Sequence, residues 1–222
     1  MALSPKLLSQ LASFVALTMI LLLTVYTTEA SAFSVFGPAT IYGFVVLTYI
    51  GIATVTACIY INRIENMKLS RIAAFTMLIE CLIIFILSSC ILGIASTADV
   101  IWYSFDADTK KNLAKSAFGR NYTENPTDPD WQINSNPMLI IAAIRDQFNS
   151  CGAIGYFTSF FFTVAAWAIW KYYKALIMER KALEADVLRQ IQTAPPVFDD
   201  KLTVHSPISD PRTSMRNGYR NN

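Results

Sequence analysis

The chain has 222 residues and a formal net charge of +2, and 54% of its residues are hydrophobic. Its mean hydropathy of +0.39 is high for a soluble domain but is expected where lipid, rather than water, surrounds the outer surface of helices. The small net charge gives no indication of nucleic-acid binding, so we expect no nucleic-acid partner.

Four long apolar stretches follow one another along the chain, at about residues 7–28, 38–62, 72–98 and 147–170. Glu80 is the only Asp, Glu, Lys or Arg residue within them. A spanning helix needs about 20 mostly apolar residues, because it rises about 1.5 Å per residue across roughly 30 Å of hydrocarbon. The predicted fold class is therefore all-α, a membrane protein built as a bundle of four transmembrane helices. We therefore expect no separate soluble catalytic domain in the remaining residues.

The first apolar stretch has features of a signal peptide, because Lys6 precedes it and the small residues Ala30, Ser31 and Ala32 follow it. Its apolar run is longer than the roughly 7–15 residues of a signal core, so we interpret it as a retained first span. Cleavage is the alternative, and it would leave three spans and a new N-terminus on the outer side.

Basic residues lie beside the same ends of the predicted spans. The connection between the second and third spans carries Arg63, Lys68 and Arg71, whereas the first connection holds only Glu29. Four further basic residues follow the fourth span, namely Lys171, Lys174, Arg180 and Lys181. By the positive-inside rule, we expect both termini to be cytoplasmic, including residues 1–6, with the outer loop 99–146 on the luminal or extracellular side.

Local signals predict several helix boundaries. Pro38 is typical of a first helical turn, so the second helix is expected to begin there after a tight outer turn. We expect a short helix near residues 109–118 and irregular structure in the rest of the outer loop. The motif SNP at residues 135–137 is a helix-start signal, so the fourth helix is expected to begin near Met138.

The chain after the fourth span divides into a helical extension and a tail. Apolar residues recur at helical spacing, which predicts a cytoplasmic helix across residues 174–193. Residues 194–222 are rich in Ser, Thr, Pro, Asp and Asn, and we expect them to be a disordered cytoplasmic tail. A cytoplasmic adaptor is a candidate partner of this tail. Its candidate phosphorylation sites are Ser206, Ser209, Thr213 and Ser214.

Glu80 is the sharpest candidate for a functional residue, because a charged carboxylate at the centre of a spanning helix costs on the order of 3 kcal/mol. It must face protein or water, or be protonated. Glu80 lies nine residues inward from Arg71, and Thr54 lies nine residues inward from Arg63 on the antiparallel neighbouring helix. We therefore predict a Thr54–Glu80 hydrogen bond, with a proton or cation pathway as the alternative.

Small residues spaced four apart let two helix backbones approach closely. Three pairs have this spacing, namely Ala53/Ala57, Ser89/Gly93 and Cys151/Gly155. We interpret them as packing faces inside the bundle, with self-association through one of them as the alternative. The aromatic-rich residues 156–162 are interpreted as bulk that faces lipid and the bundle, rather than as a ligand site.

Two residues are candidates for covalent modification in the membrane region. Asn121 begins the sequon Asn121-Tyr122-Thr123 in the loop that the charges place outside, which predicts N-glycosylation. Cys58, five residues before Arg63, is either palmitoylated near the cytoplasmic face or buried by packing.

The residue types that carry metal, redox or nucleophilic chemistry are sparse. The four cysteines lie inside or at the edges of the spans without a C-x-x-C motif, and the single histidine, His205, lies in the tail. They predict neither a disulfide framework nor a metal site nor a catalytic triad. We therefore expect no cofactor and no enzymatic activity.

Two parts of the membrane region resemble the MARVEL domain, the four-span module of physins, gyrins, occludin and the MAL proteolipids. LIECL at residues 78–82, followed by GIAS at 93–96, resembles the third MARVEL span, with an early acidic residue and small residues at its outer end. AIGYF at residues 153–157 and AAWAIWKYY at 165–173 resemble the fourth span and its aromatic, basic exit. The resemblance covers the whole membrane domain at residues 7–173, although the loop cysteines of physins and occludin are absent.

The resemblance implies a non-enzymatic membrane organiser in vesicle trafficking or at membrane contact and junction regions. Its expected partners are membrane lipids, other membrane proteins or further copies of the chain. Its expected location is the plasma membrane or a secretory or endosomal vesicle membrane. The alternative, drawn from the residues themselves, is a small channel or transporter subunit that uses Glu80 as its intramembrane polar element.

Overall fold

A computed structural model describes residues 4–118 and 137–193 of the chain. These residues form five α-helices and one short 3-10 helix. Their bounds are α1 Pro5–Ala30, the 3-10 helix Ser31–Phe36, α2 Pro38–Ile64, α3 Met67–Ser104, α4 Ala107–Phe118 and α5 Pro137–Thr193. No strand occurs in the two described ranges, so the predicted all-α fold class is confirmed.

Four helical segments are long and apolar enough to cross a membrane: α1 together with the 3-10 helix, α2, α3 and α5. Each contains one of the predicted spans. Large apolar side chains such as Val46, Ile79 and Phe160 are more than half exposed on the outer surface. This exposure is expected of a bundle that is surrounded by lipid, because lipid imposes no cost on outward-facing apolar groups.

A short 3-10 helix connects α1 to α2, so the predicted short connection is present, and its 3-10 form was not predicted. α1 continues directly into the 3-10 helix, whose Phe33 and Phe36 are both 6% exposed. The backbone kinks at Phe33, where φ is −109° and ψ is 24°, and the strongly favourable burial of the two aromatic rings holds this segment against the bundle. A Cβ at Gly37 would lie 2.6 Å from Ile94 Cδ1, so glycine lets the chain pass close to α3. α2 then begins at Pro38, as predicted.

Two residues reverse the chain between α2 and α3. Glu65 has a left-handed backbone conformation, with φ of 58°, which ends α2. Asn66 caps α3, because its Oδ1 accepts hydrogen bonds from the backbone N–H groups of Lys68 at 3.1 Å and Leu69 at 3.3 Å. This short reversal makes α2 and α3 antiparallel neighbours, which the predicted Thr54–Glu80 hydrogen bond requires.

α4 includes the helix predicted at residues 109–118 and begins two residues earlier, at Ala107. Asp106 lies at its start, where the Asp106 carbonyl accepts a hydrogen bond from the Lys110 N–H at 3.1 Å. The Thr109 side chain hydrogen-bonds the Asp106 carboxyl and, as the main cause, lowers its pKa. Leu113 and Ala114 are buried, so α4 packs one apolar face against the 3-10 helix.

α5 begins at Pro137, beside the predicted start at Met138, and continues through the extension predicted at residues 174–193. The chain divides into two compact units, Met1–Lys181 and Ala182–Asn222. The first unit contains the helical bundle. In the second, residues 182–193 are helical. The tail predicted to be disordered, residues 194–222, lies outside the described residues, as do residues 119–136 of the outer loop.

The predicted close approach of small residues is present between α5 and α3. Cys151 is completely buried, and a Cβ added at Gly155 would collide with the hydroxyl of Ser88. At Gly152, one turn earlier, an added Cβ would lie 2.6 Å from Leu92 Cγ. α5 therefore approaches α3 to a distance that only glycine permits at these two positions.

The other two small-residue pairs lie on the outer surface, so the predicted close approach of helices is not present there, although the Ser89 hydroxyl lies 2.9 Å from the Tyr156 hydroxyl of α5. Ala53 and Ala57 on α2 are exposed, and so are Ser89 and Gly93 on α3. No neighbouring atom lies within 4 Å of a Cβ added at Gly93. A spacing of four places two residues on one helix face, but it does not determine whether that face meets a neighbour.

Some of the aromatic-rich residues 156–162 face the lipid and others face the interior of the bundle, as the sequence predicts. Phe157 and Phe160 are 60% and 62% exposed, whereas Phe162 is completely buried. The helical turn accounts for this division, because residues two apart lie on different faces of α5. These rings therefore contribute both to the lipid-facing surface and to the core.

Candidate functional site

The strongest candidate site is the carboxyl group of Glu80, in the interior of α3. Buried residues of α3 recur at spacings of three and four, and Met77, Glu80 and Ile84 belong to this series. Glu80 therefore points into the bundle and is only 4% exposed. Thr54 Oγ1, on α2, donates a hydrogen bond to Glu80 Oε1 at 2.5 Å. The structure thus contains the interhelical hydrogen bond that the sequence predicts.

The second carboxyl oxygen of Glu80 differs from the first. Among the described residues, Glu80 Oε2 has no hydrogen-bond partner, although it is buried. A buried polar atom without a partner costs about 1–3 kcal/mol, so it favours a proton, a water molecule or a cation. Glu80 Oε1 therefore joins α3 to α2, whereas Glu80 Oε2 is able to bind a proton, a water molecule or a cation.

Cys58 lies one helical turn beyond Thr54 on the same face of α2 and is 1% exposed. The bundle encloses the sulfur, which supports the packing alternative for Cys58 and argues against its palmitoylation. In the described ranges, no three His, Cys, Asp or Glu side chains lie close enough together to hold a metal ion.

Several polar contacts between helices were not predicted from the sequence, and two of them lie in the interior of the bundle. Asn62 Nδ2 donates a hydrogen bond to Ser9 Oγ at 2.9 Å, which joins α2 to α1. Ser159 Oγ donates to the Cys81 carbonyl oxygen at 3.1 Å, which joins α5 to α3. Asn62 lies four residues after Cys58, on the same face of α2, and this spacing was the one sequence feature that placed its side chain inside the bundle. Nothing in the sequence pattern indicates which residue is its partner.

Aromatic and ionic contacts join three segments at the end of the bundle that contains the 3-10 helix. Phe148 of α5 packs edge-on against Phe33 and Phe36, with ring centroids 6.2 Å and 5.9 Å apart. The Arg145 guanidinium of α5 lies 3.6 Å from the Asp99 carboxylate of α3. Packed side chains therefore hold the 3-10 helix, α3 and α5 together at this end.

Several predicted modification sites lie outside the described residues. They are Asn121 in the outer loop and Ser206, Ser209, Thr213 and Ser214 in the tail. Glycosylation of the first and phosphorylation of the others therefore stay predictions.

Comparisons with known proteins give no match: no family model, no curated protein and no solved structure matches the chain significantly. The resemblance of residues 78–96 and 153–173 to MARVEL spans therefore stays a prediction.

Proposed function

We propose that this chain is a non-enzymatic, four-span membrane organiser of the MARVEL type. It acts in vesicle trafficking or at membrane contact and junction regions, in the plasma membrane or in secretory or endosomal vesicle membranes. Its partners are membrane lipids, other membrane proteins or further copies of the chain, and a cytoplasmic adaptor at the tail. The mechanism is lateral: exposed helix faces associate with partner helices within the bilayer.

The observation that carries this proposal is the outward position of two small-residue faces. Ala53 and Ala57 on α2, and Ser89 and Gly93 on α3, are exposed, although the Ser89 hydroxyl also forms a hydrogen bond with the Tyr156 hydroxyl of α5. Association of helices in lipid depends on close packing, which small side chains permit. These two faces therefore offer a partner helix, or a second copy, a surface that it can approach closely.

The arrangement of charge inside the spans also favours an organiser over a transporter. Glu80 is the only Asp, Glu, Lys or Arg residue in the four apolar stretches, and Thr54 already binds one of its oxygens. Intramembrane pathways for protons or ions are typically lined by chains of ionisable groups. A single, partly satisfied carboxyl fits a structural role better.

The lateral mechanism predicts that large side chains on the small-residue faces will disrupt association. Two double variants test it, Ala53→Leu/Ala57→Leu and Ser89→Leu/Gly93→Leu. Photobleaching of single labelled molecules in bilayers of the full-length protein measures self-association, and proximity labelling in cells measures association with other proteins. We expect at least one double variant to lose most of the association that the wild type shows.

The control for this experiment is Thr18→Leu, which adds a large side chain at an exposed position of α1. It should leave association unchanged, because Thr18 lies on neither small-residue face. If both double variants fold and associate as the wild type does, lateral packing through these faces is refuted. Immunogold electron microscopy of the endogenous protein then distinguishes vesicle membranes from junctions and from diffuse plasma-membrane labelling.

One observation favours a second candidate, a small channel or transporter subunit. Glu80 Oε2 is buried without a partner among the described residues, so it is able to bind a proton or a cation. Ion or proton flux through liposomes that contain the purified protein tests this function. A flux that Glu80→Gln abolishes would support the transporter, whereas absence of flux, or a flux that the variant retains, would contradict it.

A further inference from the structure

A continuous apolar groove, here called the α3/α5 groove, follows the outer surface between these two helices. Its first part has a volume of about 380 Å³ and is lined by Phe75 and Leu78 of α3 and by Thr163 and Trp170 of α5. Its second part, of about 510 Å³, continues along the same helices to Phe85. Both parts share Phe75, Leu78 and Thr163, so they form one surface.

The length of the groove matches one leaflet of a bilayer. From Phe75 to Phe85, α3 advances ten residues, which is about 15 Å at 1.5 Å per residue. The hydrocarbon core is roughly 30 Å thick, so a single leaflet is about 15 Å deep. The groove therefore has the dimensions to hold a lipid acyl chain that enters from the Phe75 end.

An aromatic pair flanked by two cations forms the mouth of the groove. Phe75 of α3 and Trp170 of α5 meet edge to face, with ring centroids 5.9 Å apart. The Arg71 guanidinium lies 5.9 Å from the centre of the Phe75 ring, and Lys174 Nζ lies 5.9 Å from the centre of the Trp170 ring. The two helices thus hold one cation each beside the opening.

The charge at the mouth is not neutralised within the bundle. Lys171 Nζ, 4.3 Å from the Trp167 ring centre, adds a third cation beside the same part of the groove. In residues 4–118 and 137–193, none of Arg71, Lys171 and Lys174 forms an ion pair with Asp or Glu. Each Lys or Arg near an anionic membrane surface favours binding about fivefold. The mouth therefore complements a negatively charged headgroup.

Polar atoms along the groove bind one another. Cys81 Sγ lies 3.0 Å from Thr163 Oγ1 and 3.2 Å from Ser159 Oγ. Thr163 Oγ1 also donates a hydrogen bond to the Ser159 carbonyl oxygen at 3.1 Å. Because these groups already have partners, the groove requires no polar group from its ligand below the mouth. This favours a hydrocarbon chain over a molecule with a buried hydroxyl, such as a sterol that entered hydroxyl first.

We propose that the α3/α5 groove binds one anionic glycerophospholipid of the leaflet next to its cationic mouth. The phosphate lies between Arg71 and Lys174, and one acyl chain lies along the groove past Leu78. This site deepens the proposed organiser function, on which its biological role rests, because it gives the organiser a preference for anionic lipid. The binding itself is measurable without any assay of lateral association.

Native mass spectrometry of the full-length protein tests the proposal, with phosphatidylserine and phosphatidylcholine of identical acyl chains as probes. The wild type should retain phosphatidylserine at least about fivefold better than phosphatidylcholine. Arg71→Gln/Lys174→Gln should lower this preference at least about fivefold, because Lys171 alone remains at the mouth. The control Arg63→Gln/Lys181→Gln removes two exposed cations from the same end of the bundle outside the groove, and it should keep the preference.

A groove-filling variant separates the acyl-chain site from general attraction of charge. Leu78 is 54% exposed, so Leu78→Trp is expected to fold while it occupies the groove. Circular dichroism and size-exclusion chromatography check the fold. Retention of phosphatidylserine should fall at least fivefold in this variant, although the cations are intact. Unchanged retention, or an equal loss of preference in the Arg63→Gln/Lys181→Gln control, would overturn the proposal.

Three further outcomes have a definite meaning. If cholesterol displaces phosphatidylserine at equal concentration, the groove is a sterol site and the proposal is wrong. If lipid preference is absent while lateral association depends on the small-residue faces, the lipid site is refuted and the organiser function stands. If lipid preference is present but lateral association is absent, the organiser function alone is contradicted.

Discussion

Replacing Gly155 by alanine should destabilise the bundle, whereas the same replacement at Gly93 should not. A Cβ at Gly155 would overlap the Ser88 hydroxyl and would lie 3.0 Å from Ser88 Cβ and 3.1 Å from Phe44 Cζ. Ser88 and Phe44 are completely buried, so neither has free space to move into. At Gly93, by contrast, no neighbouring atom lies within 4 Å of the added Cβ.

Two effects of opposite sign determine the size of each change. Alanine is favoured over glycine in a helix interior by about 0.5–1 kcal/mol. Overpacking of a well-packed core costs about 1–3 kcal/mol. For Gly155→Ala the second effect exceeds the first, so we expect a net loss of about 1–2 kcal/mol in the free energy of unfolding. For Gly93→Ala only the first effect applies, and stability should stay equal or rise by up to about 1 kcal/mol.

Unfolding of the full-length protein by denaturant in one detergent, followed by circular dichroism, measures both variants against the wild type. Ser88→Ala provides a rescue, because Ser88 Oγ donates only to the Ile84 carbonyl of its own helix, at 2.7 Å. The double variant Ser88→Ala/Gly155→Ala should regain part of the lost stability, with a coupling free energy above about 0.5 kcal/mol. Equal stabilities of Gly155→Ala and Gly93→Ala would refute the close approach of α5 to α3.

Further predictions concern single groups and the orientation of the chain. Thr54→Val removes the hydrogen bond to Glu80 and should lower stability by about 0.6–1.7 kcal/mol, whereas Glu80→Gln should be nearly neutral; equal effects in the same unfolding assay would contradict a structural Glu80. The hydrogen bond from the Thr109 side chain lowers the pKa of the Asp106 carboxyl below its ordinary 3.8. The ionised carboxyl therefore stabilises the folded state above pH 3.8, and this contribution is lost as the pH falls through the lowered pKa. A carbon-13 NMR titration checks the shift, which Thr109→Val should largely remove. Glycosidase should increase the electrophoretic mobility of the wild type but not of Asn121→Gln, and identical mobilities before treatment would show that the sequon is unused. Protease should reach terminal tags only after permeabilisation of sealed cells, and termini on opposite sides would exclude an even number of spans.

Helix boundaries that depend on local chemistry were predictable. Pro38 and Pro137 each occupy a first helical turn, where the missing N–H of proline has no helical partner in any case. The helix at residues 107–118 was also expected, within two residues of its start. These features require only neighbouring residues, so distant parts of the chain have little influence on them.

The Thr54–Glu80 hydrogen bond was predictable although the two residues are 26 positions apart. The bilayer makes this possible, because basic residues at the ends of two adjacent helices set a common reference for depth. Counting inward from Arg63 and Arg71 then places the two side chains at one level. The bond between Asn62 and Ser9 has no comparable reference, since Lys6 alone precedes the first span.

The number of spans, their positions and the single intramembrane charge followed from the sequence by itself, because hydrocarbon selects long apolar segments regardless of their neighbours. The rotation of each helix about its axis was decided only by the tertiary structure. That rotation buried Gly155 but exposed Gly93, and it directed Phe33 and Phe36 inward to make the first connection helical. It also created the α3/α5 groove from residues 75–85 and 159–170. The physical reason is that the rotation of a helix depends on how side chains from several helices pack together. The spacing of residues along one helix carries no information about the side chains of the others.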